Sequence, residues 1–414
     1  MKYWVTPEEM ALFDTRTINA GTPGDVLMER AGSSAALAAM SMTQPDQGSV
    51  QVWCGPGNNG GDGLVLARLL KERGYEVYAI VATTPGKSLS HDCQSNLSRY
   101  VQSGGDALAP QKVKDLPASP ALVVDSLLGT GFSGELKGVF AECTDIMRGY
   151  QCGILAIDTP TGINGSTGSV DPHTLRAITT VTFAAPKAGL LLPPGCGYTG
   201  KIIVSDIGID IDQNNERMVL GLSEAHALLP DRPSNAHKGT FGRLLLIGGS
   251  ESMPGAPQLM SLGALRSGAG LVSLSVPLPA YPLVAGRIPE VLSSYFLPGD
   301  PSGLPLKDNF NAIAIGPGMG NNPATMKLVT YVLQHCKLPL VLDADALNVL
   351  NDPAGQLSKY KGQVLITPHP GELSRMTECD ASNIESRTEA AAKLSNSSGA
   401  TVLLKGKPSM VFNP

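Results

Sequence analysis

The sequence has no Cys-x-x-Cys pair, no apolar run long enough to cross a membrane and no surplus of basic charge. Each absence removes a class of function. The 7 cysteines (54, 93, 143, 152, 196, 336, 379) stand apart and the 6 histidines are equally scattered, so no zinc site is expected. Free thiols fit a reducing cytoplasm. A net charge of −5 lacks the basic footprint of a nucleic-acid binder. Nothing approaches the length of a membrane span, and the opening MKYWVTPEEM has no signal-peptide h-region. Neither nucleic acid nor a membrane is therefore an expected partner.

Another absence lies inside a motif. The stretch Cys54-Gly-Pro-Gly-Asn-Asn-Gly-Gly-Asp-Gly63 follows an apolar strand and leads into a helix, and Gly55-x-Gly57-x-x-Gly60 matches the dinucleotide fingerprint. Ordinary NAD binding also needs an acid at the end of the second strand to hold the ribose. That strand, 76–82, ends in Ala82-Thr83-Thr84, and its only acid, Glu76, sits at the other end. A dehydrogenase is thus the weakest reading. Asn58, Asn59 and Asp62 are more than a plain phosphate loop requires; taken alone, Asp62 also reads as a helix cap.

What is present is a globular composition, 42% hydrophobic and 16% charged, long enough for two or three domains. The 47 glycines and 32 prolines are spread along the chain, which implies many tight loops. Thr6 predicts a helix N-cap, with Pro7 at the first position and Glu9 completing a capping box. A second helix is expected over 26–40, and its small residues Ala31 to Ala39 are compatible with dimer packing, so a homo-oligomer is expected. Strands at 50–54, 76–82, 121–125, 153–158, 178–184 and 201–206, with helices at 63–73, 90–103 and 135–149, predict a mostly parallel sheet covered on both faces.

Asp62, Asp125 and Asp158 fall at strand ends, where doubly wound sheets gather their ligands. Each alone reads as a cap or turn residue. Together, beside the glycine-rich stretches 55–63 and 129–135, they point to a site. The motifs GNNGGDG, VVDSLLGTGFSGE, AIDTPTGING, TFAAPKAGLLLPPG and VSDIGI resemble the epimerase domain of bifunctional NAD(P)H-hydrate repair enzymes across nearly all of residues 1–215. The resemblance implies a Rossmann-like three-layer domain that interconverts the R and S epimers of hydrated NADH and NADPH (NADHX and NADPHX). It implies substrate contacts from Asn58, Asn59, Gly60, Gly61, Asp62, Gly129, Thr130, Gly131, Phe132, Ser133, Gly134, Glu135 and Asp158. It also implies a potassium ion held by Asn59, Asp125 and Thr161. The family more often has Ser where Thr161 stands, and Thr keeps the oxygen. Protonating the substrate hydroxyl lets water leave a cation shared with the ring nitrogen, and Asp158 is the expected catalytic carboxyl, supplying the proton and then stabilising the cation.

After a polar exit at Asp210 to Asn215, a short helix is expected over 220–229, and Pro230 to His237 reads as a linker. A second alternating pattern follows. Its chemistry-bearing residues again sit at strand ends: Gly318, Asp343, Asp345, His369, Glu372 and Lys405. HKGTFGRLLLIGGSESMPGA, GALRSGAGLV, AIGPGMG, VLDADALN, TPHPGE and LLKGKPS resemble the dehydratase domain of the same family. This implies a ribokinase-like α/β domain over 216–414 that dehydrates the S epimer with ADP or ATP, with Mg2+. Ala256, Gly318 and His369 would contact the hydrate, and Lys405, Gly406, Lys407, Pro408 and Ser409 the nucleotide. No Gly-Thr-Gly-Asp follows Lys405, where the family carries its anion hole and catalytic base. The expectation is a truncated second domain, with strand 409–412 lacking its neighbours and an impaired dehydratase. The alternatives are a nucleotide-binding module without turnover, or a small-molecule kinase.

Overall fold

The computed structural model describes residues 2–84, 86–211, 217–306 and 308–414. Internal contacts divide the chain into two units, Met1–Leu229 and Pro230–Pro414. The domain boundary expected at 215/216 lies outside the described residues. Among the described residues no helix is long and apolar enough to cross a membrane.

The first unit contains strands β1 (Lys2–Tyr3), β2 (Val50–Cys54), β3 (Val77–Val81), β4 (Asp106–Leu108), β5 (Leu122–Ser126), β6 (Gly153–Ile157), β7 (Thr179–Phe183), β8 (Lys201–Ser205) and β9 (Met218–Val219). Its α-helices are α1 (Pro7–Asn19), α2 (Gly24–Met42), α3 (Asn58–Glu72), α4 (His91–Gln102), α5 (Val139–Arg148), α6 (Ala188–Leu191) and α7 (Leu222–Ala227). Seven of the strands form one parallel sheet in the order β4-β3-β2-β5-β6-β7-β8. β2, β5 and β7 are buried at every position, as strands covered on both faces must be. From β2 the chain winds outward to β3 and β4, then returns to start the other half at β5. The topological switch therefore lies between β2 and β5, where such sheets open a crevice at their carboxyl ends. The separate pairing of β1 with β9 ties residues 218–219 to this unit.

Local chemistry explains the elements that shape the crevice. α1 starts as its capping box dictates: Thr6 Oγ1 accepts the Glu9 N–H at 3.3 Å, and Glu9 returns a bond to the Thr6 N–H at 2.8 Å. α3 begins at Asn58, five residues earlier than the periodicity predicts, so Asn58 to Asp62 are helix and Asp62 is not its cap. The glycines are there for packing. A Cβ on Gly55 would lie 1.7 Å from the Leu127 carbonyl oxygen, and one on Gly60 would lie 1.9 Å from that of Gly55. Backbone thus touches backbone from β5 through the turn to α3. The small residues of α2 serve the same end. Ala31, Ala35, Ala36, Ala38 and Ala39 are buried in the core of their own unit. That corrects their reading as a dimer surface: the close approach they permit is used within the fold.

The second unit contains strands β10 (Arg243–Ile247), β11 (Leu271–Pro277), β12 (Val291–Phe296), β13 (Ala312–Ile315), β14 (Leu340–Leu342), β15 (Val364–Ile366), β16 (Thr401–Leu404) and β17 (Met410–Phe412). Its α-helices are α8 (Gly255–Arg266), α9 (Tyr281–Val284), α10 (Pro323–His335), α11 (Asp345–Asn348), α12 (Pro353–Leu357), α13 (Pro370–Thr377) and α14 (Ile384–Ser398). The sheet runs β12-β11-β10-β13-β14-β15-β16-β17, parallel except for β17. The switch point falls between β10 and β13. β17 pairs antiparallel with β16, Leu404 opposite Met410, so the expectation of a strand without neighbours is corrected. Met410 and Phe412 pack against the unit's core.

Candidate functional sites

At the first switch point, Trp53 of β2 pairs with Asp125 of β5, which pairs with Ala156 of β6. This register brings three carboxyl-terminal strand ends together. They open on a cavity of about 730 Å³. Of the expected substrate contacts, Asn58, Asn59, Asp62, Gly129, Thr130, Gly131, Phe132, Ser133, Glu135 and Asp158 line it. Gly60, Gly61 and Gly134 do not. Gly60 packs on Gly55, and a Cβ on Gly61 would lie 2.5 Å from the Met28 sulfur.

Asp158 follows β6 with φ 63°, a left-handed backbone that a non-glycine residue adopts at a cost and that recurs at functional sites. Three donors converge on its carboxylate. Lys187 Nζ lies 2.6 Å from Oδ1, the Thr182 hydroxyl donates to Oδ1 at 3.2 Å, and the Thr130 N–H donates to Oδ2 at 3.3 Å. Lys187 Nζ also donates to Thr182 Oγ1 and to the Phe183 carbonyl. The sequence reading assigned no role to Lys187 or Thr182. The available signal was a lysine in TFAAPKAG directly after an apolar strand; its burial and its partner are tertiary facts.

Asp125 and Thr161 lie outside the cavity wall and are fully buried. Thr161 donates its hydroxyl to Asp125 Oδ1 at 2.7 Å and its N–H to Oδ2 at 2.8 Å, and Leu127 N–H adds a bond at 3.3 Å. Burial pushes the Asp125 carboxyl above its ordinary range, and these bonds pull it partly back. Asn59 lies on the Asp158 side of the Gly129 loop: a Cβ on Gly129 would lie 3.3 Å from Asn59 Cγ and 3.1 Å from Asp158 Oδ2. Both polar atoms of the Asn59 amide are buried without a hydrogen-bond partner among the described residues. A buried amide in that state calls for a ligand, and an oxygen-rich set of Asn, Asp and Thr suits a hard cation.

In the second unit the expected residues also gather at strand ends. A Cβ on Gly318 would lie 2.8 Å from Ala256 Cβ, so the loop after β13 touches the start of α8. His369 is the N-cap of α13, its Nδ1 accepting the Gly371 N–H at 3.0 Å, and its Nε2 lies 3.4 Å from Glu372 Oε1. Lys405 Nζ lies 2.6 Å from Asp343 Oδ1 and 3.8 Å from Glu372 Oε2, while Thr367 donates to the same Asp343 oxygen at 2.8 Å. Asp345 accepts the Gly320 N–H at 2.8 Å. Gly406, Lys407, Pro408 and Ser409 form the turn between β16 and β17, closed by Ser409 donating to the Gly406 carbonyl.

Two α/β units, each with charged side chains assembled at the carboxyl ends of a parallel sheet, define a two-site α/β enzyme. Residues 24–189 match the family model described as YjeF-related protein N-terminus, and residues 244–414 match that described as NAD(P)H-hydrate dehydratase. The bifunctional NAD(P)H-hydrate repair enzyme Nnr of Moorella thermoacetica is 36% identical over 439 residues, covering 100% of this chain and 82% of its own. The chain belongs to the family of bifunctional NAD(P)H-hydrate repair enzymes. The Escherichia coli Nnr enzyme is 34% identical over 391 residues, with 93% of this chain and 73% of its own covered. Among solved structures, ADP/ATP-dependent NAD(P)H-hydrate dehydratase from Bacillus subtilis, co-crystallised with ATP/Mg2+, is 34% identical. That likeness covers 46% of this chain and 68% of that one, with a TM-score of 0.42.

Proposed function

We propose that the first unit epimerises R and S hydrated NADH and NADPH, and that the second dehydrates the S epimer using ADP or ATP with Mg2+. The observation that carries the first half is the Lys187–Asp158 pair in the wall of a cavity at the sheet's switch point. In the hydrate, the hydroxylated carbon is bonded to a ring nitrogen with a lone pair. Loss of water leaves a planar cation shared with that nitrogen, and water returning to the other face gives the other epimer. Asp158, fixed by Lys187, Thr182 and the Thr130 N–H, supplies preorganised negative charge beside that cation. The N-terminus of α3 in the cavity wall favours the anionic part of the substrate. Asn59, Asp125 and Thr161 would hold a potassium ion, which when bound would supply fixed positive charge.

In the second unit, phosphorylation of the hydroxyl turns a poor leaving group into a good one. Lys405 and the 406–409 turn would contact the nucleotide, and Ala256, Gly318 and His369 the hydrate. Asp158→Asn tests the first reading. It keeps the shape and removes the charge, so epimerisation should fall by about 100-fold or more. Wild-type turnover in that variant would remove Asp158 from the reaction.

A further inference from the structure

We propose that the Asp62 carboxyl is the proton carrier of the epimerisation, giving its proton to the departing hydroxyl and regaining one when water adds back. This rests on the epimerase reading of the first unit. It reassigns the proton-supplying step expected of Asp158, whose carboxylate oxygens already receive three donors.

The reaction needs an acid that still holds its proton near neutral pH. Asp62 lies on α3 in the cavity wall, only 9% exposed. Among the described residues no group donates a hydrogen bond to its carboxyl. Burial holds that carboxyl well above the usual carboxylate range, the Asp158 charge raises it further, Lys187 opposes, and Asp14 adds a smaller push. The other acids of the wall fit less well. Asp92 is engaged by His91 at 3.1 Å, and Glu135 by Lys137 at 3.1 Å. Asp14 on α1 is also raised by burial, but it is only partly buried, unlike Asp62. Cys93 on α4 is pushed up to about 12, by burial first and then by an ionised Asp62, and stays a neutral thiol. A protonated Asp62 beside a paired Asp158 carboxylate divides the labour as two carboxyls in unlike environments do.

The step balances without a co-reactant. The Asp62 proton moves to the hydroxyl oxygen, the C–O bond breaks with its electron pair leaving on water, and the ring nitrogen lone pair forms the C=N bond. Water then adds to the opposite face, and the proton it sheds restores the Asp62 acid.

The test is the R to S interconversion rate against pH for wild type, Asp62→Asn and Asp62→Glu, with circular dichroism confirming the fold. The expected result is a wild-type rate that declines at high pH, where Asp62 ionises. Asp62→Asn should show a kcat at least about 100-fold lower, an unchanged KM and no high-pH decline, and Asp62→Glu should recover part of the rate. An Asp62→Asn enzyme with wild-type kcat and pH profile overturns the proposal, as does one that loses only KM. If the wild type itself leaves the ratio unchanged, the epimerase reading falls, which is distinct from failure at Asp62 alone.

Discussion

The Lys187 ammonium lies 2.6 Å from Asp158 Oδ1, with Lys187 only 2% and Asp158 only 13% exposed. Two charges withdrawn from water hold each other in place, and removing one leaves the other stranded. Lys187→Met should therefore lower stability by about 3–5 kcal/mol, read as a lower melting temperature in calorimetry, and should suppress epimerisation as well. A variant as stable as wild type would mean the pair is replaceable by apolar packing.

Thr161 donates both its hydroxyl and its N–H to the buried Asp125 carboxylate. Thr161→Val deletes one bond from a group that cannot reach water, at a cost of about 1–3 kcal/mol. Thr161→Ser keeps the oxygen and should match wild type in stability. Comparing the three with and without potassium checks the cation site: the ion should raise the melting temperature of wild type and Thr161→Ser, and that of Thr161→Val less.

Asp62 gives a pH-dependent signature in stability. Its folded carboxyl keeps its proton well above the ordinary value of 3.8, so above that value the folded state binds more protons than the unfolded state. Stability from this group is therefore fully present below the unfolded value and declines as pH rises, by at most about 1.4 kcal/mol per pH unit. Asp62→Asn carries no such dependence. The variant should gain on wild type as pH is raised from about 4, measured by denaturant melts at matched pH; a constant gap would show that Asp62 ionises normally.

Gly60 sits where a Cβ would meet the Gly55 carbonyl oxygen at 1.9 Å. Backbone cannot step aside as a side chain can, so Gly60→Ala should cost about 1–3 kcal/mol or more and disturb the first site. Full activity and stability in this variant would contradict the close strand–turn–helix packing.

Lys405 is held between Asp343 and Glu372 at the end of β16. If it turns to a nucleotide phosphate, Lys405→Ala loses a charge-assisted bond worth about 1.5–3 kcal/mol, or roughly tenfold or more in affinity. The melting-temperature rise caused by ADP should shrink in this variant, while R to S interconversion in the other unit is retained.

Much of this was legible in the sequence because local rules and tertiary packing agree. Thr6, Pro7 and Glu9 spell out a capping box that forms as read. The apolar runs at 50–54, 122–126 and 153–157 become strands within a residue of expectation. The misreadings have a shared cause. The start of α3 was set five residues late because two adjacent glycines oppose helix by propensity, whereas here they are needed for contact with Gly55 and Met28. The alanines of α2 look like an interface because small residues permit close approach, but one sequence cannot say against what. Lys187 went unassigned because a lone lysine is usually exposed, and its partner lies 29 residues away in the chain.

The most direct test of the central claim uses two samples of hydrated NADH, one enriched in the R form and one in the S form, each given the purified protein without nucleotide. Chromatography follows the R to S ratio over time. The account predicts that both samples converge on one ratio, faster than protein-free controls, with no NADH released. Ratios that drift no faster than the controls would contradict it.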